Sequence, residues 1–516
     1  SLVDPTTAEA LEHVARLAPR SAVLALGLPL QGRSVRTAQL LARRNLLVRP
    51  DDESDPRWRE QAALGAGSGP TLGRLRGEPA LRGRELWALH DDGVFQEDQL
   101  AGGAWPGFET VRAYGPLLLQ RARQPDVILV TVASLRADRI DPGSMPALAR
   151  LADEGLVFDT AITPFPATLP GLTTLHSGLS PLDHGVRTAD GRPDGTLPLL
   201  SHALAERGYR TVAVVALRPE SSGLLAGFDE VLSDRHGDAS GLVDRALERM
   251  ARADPRPLFL WLHLEDLALP YELPAAARTP DTGPHDFPID KRDLDATRLG
   301  VAAFPPTPSG RRVFPSTREV DVATGMAQYD ALAAIVDASL QRLVASLPER
   351  DLLVVTAPHG TSLDEHEAWF DHGRDLFEPS IRVPLIVRGA GMPARRDQRL
   401  TSLEDVRSLI LDGALPDRRR VFLESDWRPG LATGRAYPAA TDPTTRGAAP
   451  RLWGERTLQH KTLLTTEAAP GRQADGVAFD LVRDPDEMRG YPADPFSLRR
   501  VDTARRRAPP APAADG

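Results

Sequence analysis

Cysteine is absent from this chain of 516 residues. That single absence removes disulfide frameworks, thiolate metal sites and cysteine nucleophiles together. It leaves the compartment open, because cysteine-free chains occur on both sides of a membrane. An excess of basic charge is missing as well: 62 lysines and arginines stand against 71 aspartates and glutamates, a net charge of −9. Such a balance argues against a nucleic-acid footprint and is that of an ordinary solvated surface. Long hydrophobic runs are lacking too. The longest near the N-terminus, Ala22 to Leu30, falls short of the ~20 residues a spanning helix needs, and Pro29 interrupts it. No signal peptide is visible. The chain opens at Ser1 rather than at a methionine, so a removed export signal or anchor, and with it membrane proximity, is an open expectation.

What remains is ample material for a large core, with 41% hydrophobic residues. Residues 1–122 stand apart as an N-terminal accessory region, either small α/β or all helical. Thr6-Thr7-Ala8-Glu9 fits a capping box, and Leu11, Val14, Ala15 and Ala18 follow at helical spacing. A second helical pattern runs from Val35 to Leu41, and Gly65 to Pro70 reads as a loop. Nothing catalytic stands out there, and no internal repeats are present.

From Pro125 onward, strands alternate with helices, the mark of a doubly wound, mostly parallel sheet. Val127 to Val132 is a nearly continuous apolar run ending in the small polar turn Ala133-Ser134, which predicts a buried parallel strand. Further strands are predicted at 210–216, 257–264, 351–356 and 383–388, with helices at 199–207 and 329–347. In such sheets, ligands bind at the carboxyl edge. Residues 272–320 are too long for a plain connection and read as a surface excursion. The expected division is 123–420 for the α/β domain, 421–495 for a small C-terminal α+β subdomain and 496–516 for a disordered tail rich in Arg and Pro.

Several ordered motifs carry a resemblance over residues 125 to 490. They are the 126–138 strand and turn, Met145 to Gly155, Leu179 to Val186, Gly208-Tyr209-Arg210-Thr211, Gly227-Phe228-Asp229, Tyr329-Asp330 with Val336-Asp337, Trp369 to Arg374, Lys461 to Leu464, and Phe479-Asp480-Leu481 with Asp484-Pro485. In this shared order the chain resembles the sulfatases and the wider alkaline-phosphatase superfamily. The resemblance implies a metal-dependent ester hydrolase in which a divalent ion, held mostly by carboxylates, activates a nucleophile. It also implies where this chain departs. Ala133 stands at the metal-holding Asp of the first strand. Thr168, within Thr168-Leu169-Pro170-Gly171-Leu172, stands at the nucleophile, where sulfatases convert Cys or Ser to formylglycine; Thr cannot be converted. Leu172 replaces the supporting Arg. In the later Asp-His pair, Pro358 replaces the Asp while His359 survives, and Ala268 replaces the His of a third motif, Asp266 to Tyr271.

The expectation is therefore a catalytically degenerate member serving as a structural or binding subunit, with protein partners, no nucleic acid and no cofactor. Thr168 is read as a helix-cap hydroxyl and His359 as a hydrogen-bonded structural histidine. His184 and Lys461 are also read as structural, Asp138 as a helix cap, and Asp364 to Glu367 as a polar loop. Two alternatives stand beside this reading. One is a phosphate or sulfate ester hydrolase or transferase with Thr168 as nucleophile and a divalent metal near His359. The other is a binder of anionic glycans using Asp371, His372 and Arg374. The resemblance suggests a periplasmic or cell-surface location, with the cytoplasm still open.

Overall fold

A computed structural model of the chain describes residues 5–17, 23–26, 45–48, 86–91, 108–114, 117–122, 124–188, 191–217, 223–254, 256–283, 322–367, 370, 372–373, 375–389, 392–425, 452–464 and 476–507. The chain divides into two compact units, Ser1–Pro125 and Asp126–Gly516. Among the described residues, no helix is long and apolar enough to cross a membrane.

The first unit carries helix α1 (Pro5–Leu17), whose Ala10, Leu11 and Val14 are buried at helical spacing. Its five strands are β1 (Val23–Leu26), β2 (Asn45–Val48), β3 (Leu86–Asp91), β4 (Phe108–Tyr114) and β5 (Leu117–Ala122), in the sheet order β2-β1-β3-β5-β4. β1 runs parallel to β2 and β3, whereas β5 pairs antiparallel with β3 and β4. The region is thus α/β rather than all helical. The helical pattern at 35–41 lies outside the described residues.

The second unit is built on a nine-stranded sheet. Its centre is formed by β6 (Val127–Val132), β8 (Arg210–Val215), β10 (Leu258–Leu264) and β11 (Leu352–Thr356), every residue of which is buried. Complete burial explains why their sequences are continuous apolar runs without alternation. β6 lies between β10 and β11, and both pairings are parallel. β9 (Glu230–Ser233) extends the parallel edge beside β8. Toward the other edge the sheet turns mixed: β13 (Leu385–Arg388) is antiparallel to β11 and to β7 (Leu156–Ile162), which also pairs β12 (Arg382–Val383) and β14 (Arg395–Ser402). The sheet is covered by α2 (Pro146–Glu154), α3 (Thr168–Ser177), α4 (Pro181–His184), α5 (Leu200–Glu206), α6 (Ala239–Met250), α7 (Val322–Ser346), α8 (Glu378–Ile381) and α9 (Val406–Asp412).

Helix α7 starts before the predicted residue 329. Its Asp337 is buried and accepts the Ala147 and Leu148 N–H groups, both at 2.8 Å, so one helix caps the start of another. A second sheet follows, of β15 (Val421–Ser425), β16 (Leu452–Arg456), β17 (His460–Leu464), β18 (Gly476–Asp480) and β19 (Tyr491–Pro492), antiparallel throughout in that order. The expectation of a disordered tail over 496–516 is corrected over 496–507 by helix α10 (Pro495–Arg507); residues 508–516 lie outside the described residues. Asp494 Oδ1 accepts the Phe496 and Ser497 N–H groups at its start. Leu498 and Val501 join Trp453 and Leu464 in a small core.

Candidate functional site

Three adjacent parallel strands, β11, β6 and β10, deliver their following loops to one carboxyl edge. At the end of β6, Ala133 is fully buried and its N–H reaches the Leu264 carbonyl at 2.9 Å. Ser134 adopts a left-handed φ of 62° in the turn that follows. Tyr329 of α7 pins this turn: its hydroxyl donates to the Ser134 carbonyl at 2.8 Å and receives the Arg136 N–H at 3.3 Å. Arg136 then joins two loops, pairing with Asp138 at 2.8 Å and Glu365 at 2.7 Å. Asp138 is therefore an ion-pair partner of Arg136 and makes no side-chain helix cap. Glu365 also accepts the Leu363 and Asp364 N–H groups, so it ties its own loop to Arg136.

Thr168 is the first residue of α3, and the helix has no side-chain cap. The expected capping role is corrected: the hydroxyl lies 3.0 Å from His359 Nε2. His359 Nδ1 lies 2.7 Å from the Gly360 carbonyl. A carbonyl only accepts, so Nδ1 carries the proton, Nε2 is the acceptor and Thr168 donates to it. His359 is fully buried, and its ring stacks on His372 with centroids 4.0 Å apart. Burial first, and then the neighbouring His372, push the His359 pKa well below the usual histidine value. The ring is therefore neutral at pH 7.

Leu172 is fully buried in the core, and Gly171 packs on the loop after β11 so closely that a Cβ there would collide with the Pro358 carbonyl oxygen. Backbone thus fills the space a side chain at 171 would need. Ala268 is partly buried. The acid that opens its motif, Asp266, accepts the Ala239 N–H at 2.8 Å through Oδ1 and so serves the start of α6. Burial pushes its carboxyl up to about 6. His184 is structural: its Nδ1 accepts the Val186 N–H at 3.0 Å, and its Nε2 lies 3.0 Å from the Thr174 hydroxyl. Lys461 is fully buried and ion-paired to Glu487 at 2.6 Å and Glu378 at 3.0 Å. Asp371 and Arg374 lie outside the described residues.

One participant was missed from sequence. His263, fully buried at the end of β10, holds the Thr131 hydroxyl 2.9 Å from its Nδ1. Thr131 in turn accepts the Trp261 indole N–H at 2.9 Å. The signal available was one titratable residue inside the otherwise apolar run Leu258 to Leu264.

The resemblance to sulfatases implies a divalent ion, so the donor set is the test. His359 spends Nε2 on Thr168 and Nδ1 on Gly360; Ala133 and Pro358 offer no side-chain donor; Asp266 spends Oδ1 on a helix start, which leaves its buried Oδ2 as a lone oxygen. Among the described residues, no three His, Asp or Glu side chains come together to hold a metal ion. A hard divalent cation needs several oxygen ligands, and the described residues do not supply such a set.

No curated protein matches the chain. Among solved structures, the phosphonate monoester hydrolase of Agrobacterium radiobacter is 18% identical with a TM-score of 0.50, covering 74% of this chain and 93% of that one. The phosphonate monoester hydrolase of Silicibacter pomeroyi is 17% identical with a TM-score of 0.53, covering 74% and 94%. A putative sulfatase from Bacteroides thetaiotaomicron is 17% identical with a TM-score of 0.52, covering 74% and 91%. At such identities the likeness is one of fold. The sulfatase family model matches residues 125–414, more than half of the sequence. With the parallel sheet, its antiparallel C-terminal companion and the ordered motifs on the page, the chain belongs to the sulfatase family.

Proposed function

We propose that this chain is a non-catalytic sulfatase-family protein that uses the retained α/β scaffold as a binding or structural subunit of a protein complex. The observation that carries the reading is the Thr168–His359–Gly360 chain of hydrogen bonds. At the position of a metal-activated nucleophile stands a hydroxyl donating to a buried neutral imidazole, whose other nitrogen is bonded to backbone. Ala133, Leu172 and Pro358 around it are buried and carry no charge. The group satisfies itself, which a structural role requires and a metal-dependent nucleophile does not. Family membership favours an exported protein at the periplasm or cell surface.

A second reading draws on the same contact. A hydroxyl donating to an imidazole is also the geometry of a nucleophile and its base. Turnover separates the two. Purified protein is assayed with aryl sulfate, aryl phosphate and aryl phosphonate esters, with and without added Mn²⁺, Zn²⁺, Mg²⁺ or Ca²⁺, beside Thr168→Ala. The non-catalytic reading expects both proteins at the buffer rate. Turnover that Thr168→Ala abolishes refutes it.

A further inference from the structure

Helix α10 has two dissimilar faces. Leu498 and Val501 face the small core with Trp453 and Leu464. The other face presents Phe496, Arg499, Arg500, Thr503, Ala504 and Arg507, the i, i+3, i+4, i+7, i+8, i+11 series of one helical stripe. This stripe and Phe422 of β15 enclose an open groove of ≈ 370 Å³. β15 is the edge strand of its sheet. Both phenylalanines are exposed, Phe496 by 68% and Phe422 by 36%.

The groove is cationic as well as aromatic. Arg499 lies over the Phe496 ring at 4.9 Å and donates to the Pro495 carbonyl. Neither Arg499 nor Arg507 makes an ion pair among the described residues. Arg500 and Arg420 share the single buried carboxylate of Glu455, at 2.6 and 3.4 Å. Asp494 is engaged by the first N–H groups of α10, and Asp502 pairs with Arg505 and Arg506, neither of which lines the groove. Three guanidinium groups thus line the groove, and among the described residues only that of Arg500 is ion-paired, to Glu455. Chains of net charge −9 repel acidic partners in general, so a local cationic strip beside exposed rings is a place of selective attraction. Arginine beside aromatic rings is what concentrated protein contacts use.

We infer that the groove between α10 and β15 docks a segment of a partner protein in which acidic residues flank a bulky apolar side chain. The apolar group occupies the space between Phe422 and Phe496, and the carboxylates pair with Arg499 and Arg507. A protein segment is favoured over a lipid surface because the site is a groove between two elements, with Phe422 on one wall and Phe496 on the other, rather than a single protruding apolar face. The inference rests on the reading of the chain as a binding subunit and names its contact surface.

The test uses the full chain and labelled peptides Glu-Asp-Xaa-Glu-Asp, with Xaa as Ala, Leu, Phe or Trp, read by fluorescence anisotropy. Saturable binding is expected, at least tenfold tighter for Trp than for Ala and weaker at high salt. Arg499→Glu/Arg507→Glu should weaken it at least tenfold, and Ala504→Trp, which fills the groove, should abolish it with circular dichroism unchanged. If Ala504→Trp fails to fold, Phe496→Ala serves in its place. No saturable binding, equal binding of Lys-Lys-Xaa-Lys-Lys, or binding to heparin or anionic vesicles that matches the peptides without regard to Xaa overturns the inference. So does a dimer in gel filtration that the double variant dissolves. Turnover with silent peptides, or peptide binding alongside turnover, tells failure of the groove apart from failure of the non-catalytic reading.

Discussion

Replacing Thr168 by Val keeps the side-chain shape and deletes one hydroxyl. In the wild type that hydroxyl donates to His359 Nε2 at 3.0 Å, while Nδ1 is bound to the Gly360 carbonyl. The ring cannot turn to another partner without breaking the second bond. The variant therefore leaves a buried acceptor unpaired, a cost of ~1–3 kcal/mol. Thr168 is only partly buried, so water reaches the vacated position from one side. That places the expected loss in the lower part of the range, about 1–2 kcal/mol in urea unfolding. In a His359→Leu background the same change should cost close to nothing, because the acceptor is gone; the coupling is then about 1–2 kcal/mol. Nitrogen NMR of the wild type should show His359 as the Nδ1–H tautomer, neutral at pH 7 and still neutral where an ordinary histidine titrates. A Thr168→Val protein within about 0.3 kcal/mol of wild type, or a His359 titrating near 6.5, refutes the reasoning.

Lys461→Met removes the cation between two buried carboxylates, Glu487 and Glu378, and should cost about 3–5 kcal/mol in denaturant unfolding; a loss below about 1 kcal/mol would mean that the two acids re-pair without it. Gly171→Ser places a side chain where the Pro358 carbonyl packs and should destabilise by about 1–3 kcal/mol, seen as a lower Tm; an unchanged Tm would show that the loop yields freely. Burial pushes His184 down to about 4. The unfolded state takes up a proton below 6.5 and the folded state does not, so stability contributed by this residue is lost as pH falls from 6.5 to about 4. The slope is about 1.4 kcal/mol per pH unit, and His184→Gln should flatten it; equal slopes in both proteins contradict the assignment.

The central strands were legible because full burial writes itself as an apolar run: Val127 to Val132 and Leu258 to Leu264 could hardly be anything else. The site positions followed from motif order, which needs no geometry. What the residues do there was less legible. Thr168 and His359 are 191 positions apart in sequence, so only the fold shows that one hydroxyl serves the other ring rather than a helix end. Asp138 carries the usual signature of a cap, yet the arginine two residues earlier wins it as a bidentate partner. The end of the chain was misjudged for a compositional reason: arginines dominate Pro495 to Arg507, and only Leu498 and Val501, three apart, together with the Asp494-Pro495 start, mark a helix.

Metal affinity tests the central claim most directly. Calorimetric titration of Ca²⁺, Mg²⁺, Mn²⁺ and Zn²⁺ into chelator-treated protein, with elemental analysis of the protein as purified, should find no stoichiometric ion and no saturable site tighter than millimolar. One ion per chain, bound at micromolar affinity and lost in His359→Leu, would contradict the account.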